Sequence, residues 1–226
     1  MDTPRSPVPL LTDKLVFPDP ASAGSDGLLA IGGDLRPERL ILAYENGIFP
    51  WFNEDSLILW WCPDPRMALF PDRIRISKSM RQLLRKEVFR ITRNRCFSEV
   101  VSQCAQVPRS GQEGTWITDR MQQAYTELHK LGKAVSYEVW QERELVGGLY
   151  GVDLGHVFCG ESMFSKVSNA SKAAFIHMVR EQAERGCRLV DCQIYTAHLE
   201  SLGAEEIPRK AFLKYLKADH PGSLEE

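Results

Sequence analysis

The sequence lacks the residue patterns that bind metals and phosphorylated cofactors. None of its six cysteines forms a C-x-x-C pair, and none of its five histidines lies at zinc-ligand spacing from a cysteine. The phosphate loop G-x-x-x-x-G-K-(S/T) and the dinucleotide-binding turn G-x-G-x-x-G are also absent. We therefore expect neither a metal nor a nucleotide cofactor.

Long apolar runs are missing too. No stretch approaches the ~20 apolar residues of a membrane span. The first eleven residues, MDTPRSPVPLL, hold three prolines and no apolar core of signal-peptide length. We therefore expect no membrane partner and a cytoplasmic location, where the cysteines remain thiols.

The composition is that of an ordinary globular chain. Its 226 residues are 43% apolar and 26% charged, which suits one large domain or two small ones. The formal net charge is −2. Any nucleic-acid-binding surface must therefore be local.

The chain changes character near residue 65. Residues 1–26 are rich in Pro, Ser, Asp and Ala and predict an irregular arm. A short apolar run and a short helix follow, and Pro63 and Pro65 then interrupt regular structure. We predict an N-terminal domain over residues 1–65 and a larger domain over residues 66–226.

The larger domain mixes helix and strand patterns. Three consecutive strand patterns, AVSYEVWQ, ELVGGLYGV and HVFCGESMF, predict an antiparallel meander. The stretch ITDRMQQAYTELHKLG has helical spacing, with Thr118 as its N-cap and Gly132 near its end. ALFPDRIRI, FRITRN and CRLVDCQIY predict further strands, and KSMRQLLRK, CFSEVVSQCAQV, SKAAFIHMVREQAERG and PRKAFLKYLK predict helices. The pattern predicts an α+β fold with a mixed, mainly antiparallel sheet flanked by helices.

Polar side chains occur on two strands that are otherwise apolar. Because side chains alternate along a strand, Asp191 and Gln193 are expected on one face. The same rule places Cys159, Glu161 and Met163 on one face of the earlier strand. An unpaired buried carboxylate costs several kcal/mol. These groups therefore either form a hydrogen-bonded network or line a cleft, and a satisfied buried network or an exposed edge is the purely structural alternative.

A basic segment stands out in a chain that is otherwise acidic. Residues 73–95 contain nine Lys or Arg and one acid, Glu87. On the predicted helix, Lys78, Arg81 and Arg85 lie on one side and the apolar residues on the other. Such a row suits a phosphate backbone, although surface helices often carry cations that have no partner.

Large aromatic residues are concentrated around the predicted domain boundary. They are Trp51, Phe52, Trp60, Trp61 and, later, Trp116. Indole rings stack on nucleobases, and buried tryptophans also serve simply as core. Both interpretations stay open at this point.

Several stretches together resemble the leucyl/phenylalanyl-tRNA–protein transferases. In chain order they are GLLAIGGDL, YENGIFPWF, LWWCPDPR, EGTWIT, GGLYGV, FCGESMFS, NASK, LVDCQ and SLGAEEIPR. They span roughly residues 27 to 215. The resemblance implies a small N-terminal domain followed by one similar to the acyl-CoA N-acyltransferases.

Two other activities compete with this interpretation. A CoA-dependent acyltransferase needs a glycine-rich loop before the helix that follows the central strands. The stretch SKVSNASKAAF at that place contains no glycine, which argues against CoA. An RNA-binding module without catalysis would explain the basic helix but not the polar groups on the two strands.

The resemblance also implies roles for individual residues. The implied catalytic residues are Asp191, Gln193 and Glu161. The residues implied to bind the terminal adenosine are Trp51, Trp116, Tyr44 and Tyr125. The implied pocket for the donor side chain is formed by Leu149, Met163 and Phe175. Those implied to contact the tRNA body are Lys78, Arg81, Arg85 and Lys86.

The activity implied by the resemblance is transfer of Leu or Phe, and also Met, from aminoacyl-tRNA. The implied acceptors are proteins that begin with Arg or Lys, and the product is marked for N-end-rule degradation. A cationic acceptor requires a negative surface, for which Glu161, Asp191 and the Glu205–Glu206 pair are the candidates. We expect the enzyme to act as a monomer without a cofactor.

Overall fold

The computed structural model describes residues 7–107 and 115–217. The start of the predicted arm, part of the EGTWIT stretch and the C-terminal tail lie outside the described residues. The N-terminal part forms a four-stranded sheet of order β1-β2-β4-β3. Its elements are β1 (Leu10–Leu11), β2 (Leu28–Gly32), α1 (Pro37–Glu45), β3 (Phe49–Pro50) and β4 (Leu59–Trp61).

The second part contains a seven-stranded sheet of order β11-β5-β10-β9-β8-β7-β6. Its strands are β5 (Arg66–Leu69), β6 (Arg90–Arg93), β7 (Ala134–Gln141), β8 (Glu144–Asp153), β9 (Val157–Ser165), β10 (Leu189–Gln193) and β11 (Glu205–Ile207). The pairing of β9 with β10 is parallel. The other strand pairs described in this sheet are antiparallel, so the mixed, mainly antiparallel α+β fold is confirmed.

Helices cover both faces of this sheet. They are α2 (Lys78–Arg85), α3 (Phe97–Ala105), α4 (Asp119–Lys130), α5 (Ala170–Glu184), α6 (Ala197–Ser201) and α7 (Arg209–Lys217). Thr118 caps α4 as predicted, because its side chain accepts a hydrogen bond from the Met121 N–H. Within the described chain, no helix is long and apolar enough to cross a membrane.

Some elements differ from the sequence predictions. The strand predicted over ALFPDRIRI ends at Leu69 and gives way to a 3-10 turn over Pro71–Arg73. The physical reason is that Pro71 has no N–H to offer a sheet but suits the first position of a helical turn. Helix α6 and the short strands β1, β3, β4 and β11 were not predicted as elements, since each is too brief to show a period.

Two large apolar clusters occupy the two faces of the seven-stranded sheet. The first joins the N-terminal sheet to α3 and α4 and includes Trp60, Leu128 and Leu189. The second lies under α5 and includes Val179 and Val190. The N-terminal sheet therefore packs on a core that it shares with the larger part.

Two irregularities lie on the neighbouring strands β9 and β10. The register of β9 against β8 shifts around Glu161, and that of β10 against β5 shifts between Asp191 and Gln193. The recorded pairing between the two strands ends at Asp191 and Cys159. A bulge changes which face the following side chains occupy. These shifts set the geometry of the polar groups described next.

Candidate active site

A pocket of about 830 Å³ opens where the pairing of β9 and β10 ends. Side chains from both faces of the sheet line it. Its aromatic end is formed by Phe49, Pro50, Trp51 and Trp116. Glu161 and Gln193 lie in its wall. Its apolar end is formed by Leu149, Phe158, Met163, Phe175, Met178 and Val190. The pocket thus has an aromatic end, a polar wall and an apolar end.

The aromatic residues of the sequence divide between site and core. Trp51 and Trp116 line the pocket. Trp60 is fully buried and donates its indole N–H to the Gly32 carbonyl at 2.9 Å. Trp61 supports Trp51, since their rings lie 5.9 Å apart and its Nε1 donates to the Trp51 carbonyl at 2.7 Å. Phe52 is buried in the core. Two of the five therefore line the pocket.

The three residues expected to hold a donor side chain meet at one place. Leu149 and Met163 are paired across β8 and β9, and Phe175 reaches the pocket from α5. The sequence reasoning had placed Met163 on the same face as Cys159, and this was wrong. Cys159 lies in the first apolar cluster and Met163 packs against the second, because the bulge at Glu161 reverses the alternation.

Glu161 is a buried carboxylate that several donors surround. Its Oε1 accepts from Gln193 Nε2 at 2.8 Å, and its Oε2 accepts from the Tyr125 hydroxyl at 2.7 Å. Burial raises the pKa of Glu161 to about 7, although hydrogen bonds from Tyr125, Tyr44 and Gln193 partly oppose that rise. Both protonation states of this carboxyl are therefore accessible near neutral pH.

Tyr44 and Tyr125 lie behind Glu161 and do not line the pocket. Their rings are fully buried, and their hydroxyls hydrogen-bond to each other. Burial raises the pKa of both phenols well above their ordinary value. The resemblance had implied that they bind adenosine. In the structure their polar ends are turned towards the Glu161 carboxylate instead.

Asp191 forms a buried ion pair that the sequence reasoning missed. Arg66 donates Nε to Oδ1 at 2.8 Å and Nη2 to Oδ2 at 2.6 Å. The guanidinium carbon lies 4.8 Å from the Phe49 ring centroid and 4.5 Å from that of Phe212. Burial lowers the pKa of Arg66, but the charge and hydrogen bonds of Asp191 outweigh this and raise it overall. Arg66, the last residue of the LWWCPDPR stretch, was the residue in the sequence that could have indicated this ion pair.

Asp191 also fixes the backbone of Gln193. Its Oδ1 accepts the Gln193 N–H at 2.9 Å. Gln193 has a φ of 63°, a left-handed conformation that is uncommon for a residue other than glycine. Asp191 itself is fully buried and does not line the pocket. Asp191 therefore contacts the backbone of Gln193, and Gln193 is the residue of this pair that faces the pocket.

His198 also lines the pocket. Its Nε2 is buried and has no hydrogen-bond partner among the described residues. Burial and the nearby charge of Lys172 lower the pKa of its imidazole. Its surroundings therefore favour the neutral form of the ring.

The basic helix has the two faces that were predicted. On α2, Met80 is buried against Ala173 and Ile176 of α5. The cations Lys78, Arg81, Arg85 and Lys86 are all exposed. The row of positive charge thus lies on the outer surface of α2, which packs on the helix that carries Phe175.

Most of the chain matches models of one protein family. A family model described as leucyl/phenylalanyl-tRNA protein transferase matches residues 68–217, and a model of the N-terminal domain of that protein matches residues 33–64. A relative of that name from Flavobacterium johnsoniae is 61% identical over 90% of this chain and 96% of its own length. Another, from Syntrophobacter fumaroxidans, is 54% identical over 95% of this chain and 92% of its own length.

Solved structures match the chain at low sequence identity. L-PGS from Bacillus licheniformis is 14% identical, covers 76% of this chain and 57% of its own, and gives a TM-score of 0.41. A GCN5-related N-acetyltransferase from Kribbella flavida is 9% identical, covers 74% of this chain and 59% of its own, and gives a TM-score of 0.39.

Proposed function

The chain belongs to the leucyl/phenylalanyl-tRNA protein transferase family, and from that premise we propose how its pocket carries out aminoacyl transfer from tRNA to protein. The observation that supports the proposal is the set of groups that line one pocket: two tryptophans, a hydrogen-bonded Glu161–Gln193 pair, and an apolar end. A 3′-aminoacyl adenosine has three matching parts. Its aromatic base is followed by a polar ester and then by the amino acid side chain.

The donor is an ester and is already activated. The acceptor amine attacks the ester carbonyl carbon, a C–N bond forms, and the bond to the ribose 3′-oxygen breaks. One amine proton is lost and one proton ends on the departing 3′-oxygen, so the reaction balances without ATP. The α-amino group has an ordinary pKa of about 7.7–8.0, so a useful fraction is neutral at pH 7.

We propose that Trp51 and Trp116 hold the terminal adenosine by stacking. The side chain of the donor then enters the space between Leu149, Met163 and Phe175. Unbranched or γ-branched side chains such as Leu, Phe and Met fit such a slot by shape. Discrimination among them is modest, since one methylene is worth only about 1–3 kcal/mol.

Gln193 and Glu161 are proposed to handle the acceptor amine. Donation from Gln193 Nε2 to Glu161 fixes the amide, so its carbonyl oxygen is left to accept a hydrogen bond from the amine. Holding the amine in line with the ester supplies several kcal/mol. Glu161, with its pKa raised to about 7, is suited to attract the proton that the amine releases.

The acceptor class is proposed to be proteins with an N-terminal Arg or Lys. Of the acidic candidates, Asp191 is neutralised by Arg66 and Glu205 forms an ion pair with Arg73. Glu161 lines the pocket and Glu206 is exposed. These two are the better supported partners for a cationic acceptor.

Further proposals concern the tRNA contact surface, the oligomeric state, the location and the domain boundary. The exposed cations Lys78, Arg81, Arg85 and Lys86 are proposed to contact the tRNA body. We propose a monomer that acts in the cytoplasm, where aminoacyl-tRNA is found, and a product marked for N-end-rule degradation. The segment around residue 65, between the two sheets, is proposed as the domain boundary.

A transfer assay tests the activity directly. Radiolabelled leucine is supplied as Leu-tRNA with a peptide that begins with Arg, and a Gly-initiated peptide serves as control. Neither ATP nor CoA is added. Label on the Arg peptide alone is the expected result. No label from Leu-tRNA, Phe-tRNA or Met-tRNA would favour an RNA-binding protein without this chemistry.

Replacing Phe175 with leucine should change which donor is preferred. The smaller side chain leaves more room at the apolar end, so the ratio of kcat/KM for Phe-tRNA to that for Leu-tRNA should rise about tenfold. The measurement is single-donor kinetics with each aminoacyl-tRNA.

A matched control for this variant lies one turn along the same helix. Val179 is buried in the same apolar cluster but does not line the pocket. Val179→Ala should lower stability without altering the Phe-to-Leu ratio. An unchanged ratio in Phe175→Leu would contradict the placement of the donor side chain.

A further inference from the structure

Several arginines of the basic segment lie outside the basic helix, and two of them lie at the edge of the seven-stranded sheet. Of the segment's nine cations, Arg73 is paired with Glu205, and Arg93 is paired with Asp153 and Glu181. Arg90 and Arg95 are exposed and form no ion pair with any described residue. We call Arg90 and Arg95 the edge arginines, because Arg90 begins β6, Arg95 follows its end, and β6 is the last strand of the seven-stranded sheet.

Both edge arginines lie over one tryptophan. The guanidinium carbon of Arg90 is 5.8 Å from the Trp140 ring, and that of Arg95 is 5.6 Å from it. Trp140 is itself fixed, since its Nε1 donates to Thr92 Oγ1 at 2.8 Å, and that hydroxyl donates to the buried Glu138 at 2.6 Å. An arginine that rests on a fixed aromatic ring loses little freedom on binding, and its N–H fork remains available.

The edge arginines continue the positive surface of α2. Phe89 and Ile91, on either side of Arg90, pack against the small cluster that holds Met80 of α2. Arg90 follows Lys86 by four positions, so their Cα atoms are at most ~14 Å apart by chain length. A row of cations thus runs from the exposed face of α2 around the open edge of the sheet.

We propose that the edge arginines bind the sugar–phosphate backbone of the donor tRNA, beyond its aminoacylated end. This rests on the proposed function, because it assumes that a tRNA occupies the pocket. Planar guanidinium groups match phosphate oxygens, and two guanidinium groups that rest on one fixed ring are preoriented for a phosphate backbone. The competing explanation is that charged residues merely protect an open strand edge from pairing with other chains.

The test uses the full-length variant in which both Arg90 and Arg95 are changed to glutamine. Its affinity for tRNA is measured by fluorescence anisotropy over a series of salt concentrations. The matched control is Arg185→Gln with Arg188→Gln, which removes two exposed arginines that form no ion pair with described residues. Arg188 directly precedes β10, four strands away from β6 in the sheet.

We expect the edge variant to bind tRNA about tenfold more weakly and to lose about one to two units from the slope of log affinity against log salt. The control should keep the slope of the unchanged protein. Lysine at positions 90 and 95 should restore the slope but only part of the affinity, because an ammonium lacks the planar fork.

A short donor separates this proposal from the proposed function. A leucyl ester of a short CCA-ending oligonucleotide reaches the pocket but not the sheet edge. The edge variant should use it as well as the unchanged protein does, while its KM for Leu-tRNA rises. If the unchanged protein transfers leucine from neither donor, the proposed function is wrong. The salt dependence of tRNA binding then still tests the edge arginines.

An unchanged salt slope and an unchanged KM for Leu-tRNA, with increased aggregation of the edge variant, would assign the two arginines to protection of the strand edge.

Discussion

Asp191→Asn should destabilise the protein by about 3–5 kcal/mol. Asp191 and Arg66 are both buried, and the guanidinium packs between the rings of Phe49 and Phe212. Removing the carboxylate charge leaves a buried cation without its counter-ion. This costs more free energy of folding than removing both charges of the pair. Chemical denaturation of the variant and the unchanged protein measures the difference directly.

Two double variants separate the ion pair from its effect on the site. Replacing Arg66 with Met removes the stranded charge, so Arg66→Met combined with either Asp191→Asn or Asp191→Leu should recover most of the lost stability. Asn at 191 keeps an oxygen that can accept the Gln193 N–H, whereas Leu at 191 does not.

Transfer activity should therefore distinguish two proteins of similar stability. The variant with Asn at 191 should retain substantial activity, and the variant with Leu should lose at least about a hundredfold in kcat, because Gln193 is no longer held at its left-handed φ. Equal activity in the two double variants would mean that Asp191 does not position Gln193. If Asp191→Asn is as stable as the unchanged protein, Arg66 does not need this carboxylate as its counter-ion.

Features governed by local sequence were predictable. Thr118 caps α4 because a threonine side chain satisfies an N–H at a helix start whatever the surroundings. The two faces of α2 follow from the spacing of Met80, Leu83 and Leu84. The strand β7 spans the same residues as the predicted AVSYEVWQ pattern, since alternation and β-branched residues favour a strand.

Features that depend on distant residues were not predictable in the same way. Arg66 and Asp191 are 125 positions apart, and nothing in their immediate sequence specifies that they pair. The bulges at Glu161 and Gln193 interrupt the alternation on which the assignment of faces depended. As a result Met163 lies with Leu149 on the apolar side, while Glu161 turns towards Tyr125 and Gln193. The irregular positions are the ones that build the site.

The resemblance to a family supplied what the residue patterns did not. Patterns alone left Trp51 and Trp116 indistinguishable from the buried Trp60, and only the fold separates them. The resemblance grouped Tyr44 and Tyr125 with the adenosine site. The fold shows them instead as a hydroxyl pair behind a carboxylate, which is a contact that no linear motif encodes.

Glu161→Gln should reduce transfer by about 10²–10³-fold and at the same time stabilise the protein at alkaline pH. Burial raises the pKa of Glu161 to about 7 from an ordinary value of 4.5. Between these two values the folded state binds more protons than the unfolded state, so the stability of the unchanged protein falls as pH rises through this range. Above about pH 7 the buried charge is present in full. Glutamine never carries that charge, so the variant should be more stable there, by on the order of 3 kcal/mol.

The pH profile of transfer separates the role of Glu161 from that of the acceptor amine. In the unchanged protein kcat/KM should rise through about pH 7 as Glu161 ionises, and again as the amine loses its proton near its ordinary pKa of about 7.7–8.0. Glu161→Gln should keep only the second rise. The control is Glu184→Gln on the exposed surface of α5, which should leave the profile and the stability unchanged. If Glu161→Gln instead retains both rises and the wild-type rate, another group takes the amine proton. Direct transfer of that proton to the departing 3′-oxygen then explains the reaction better.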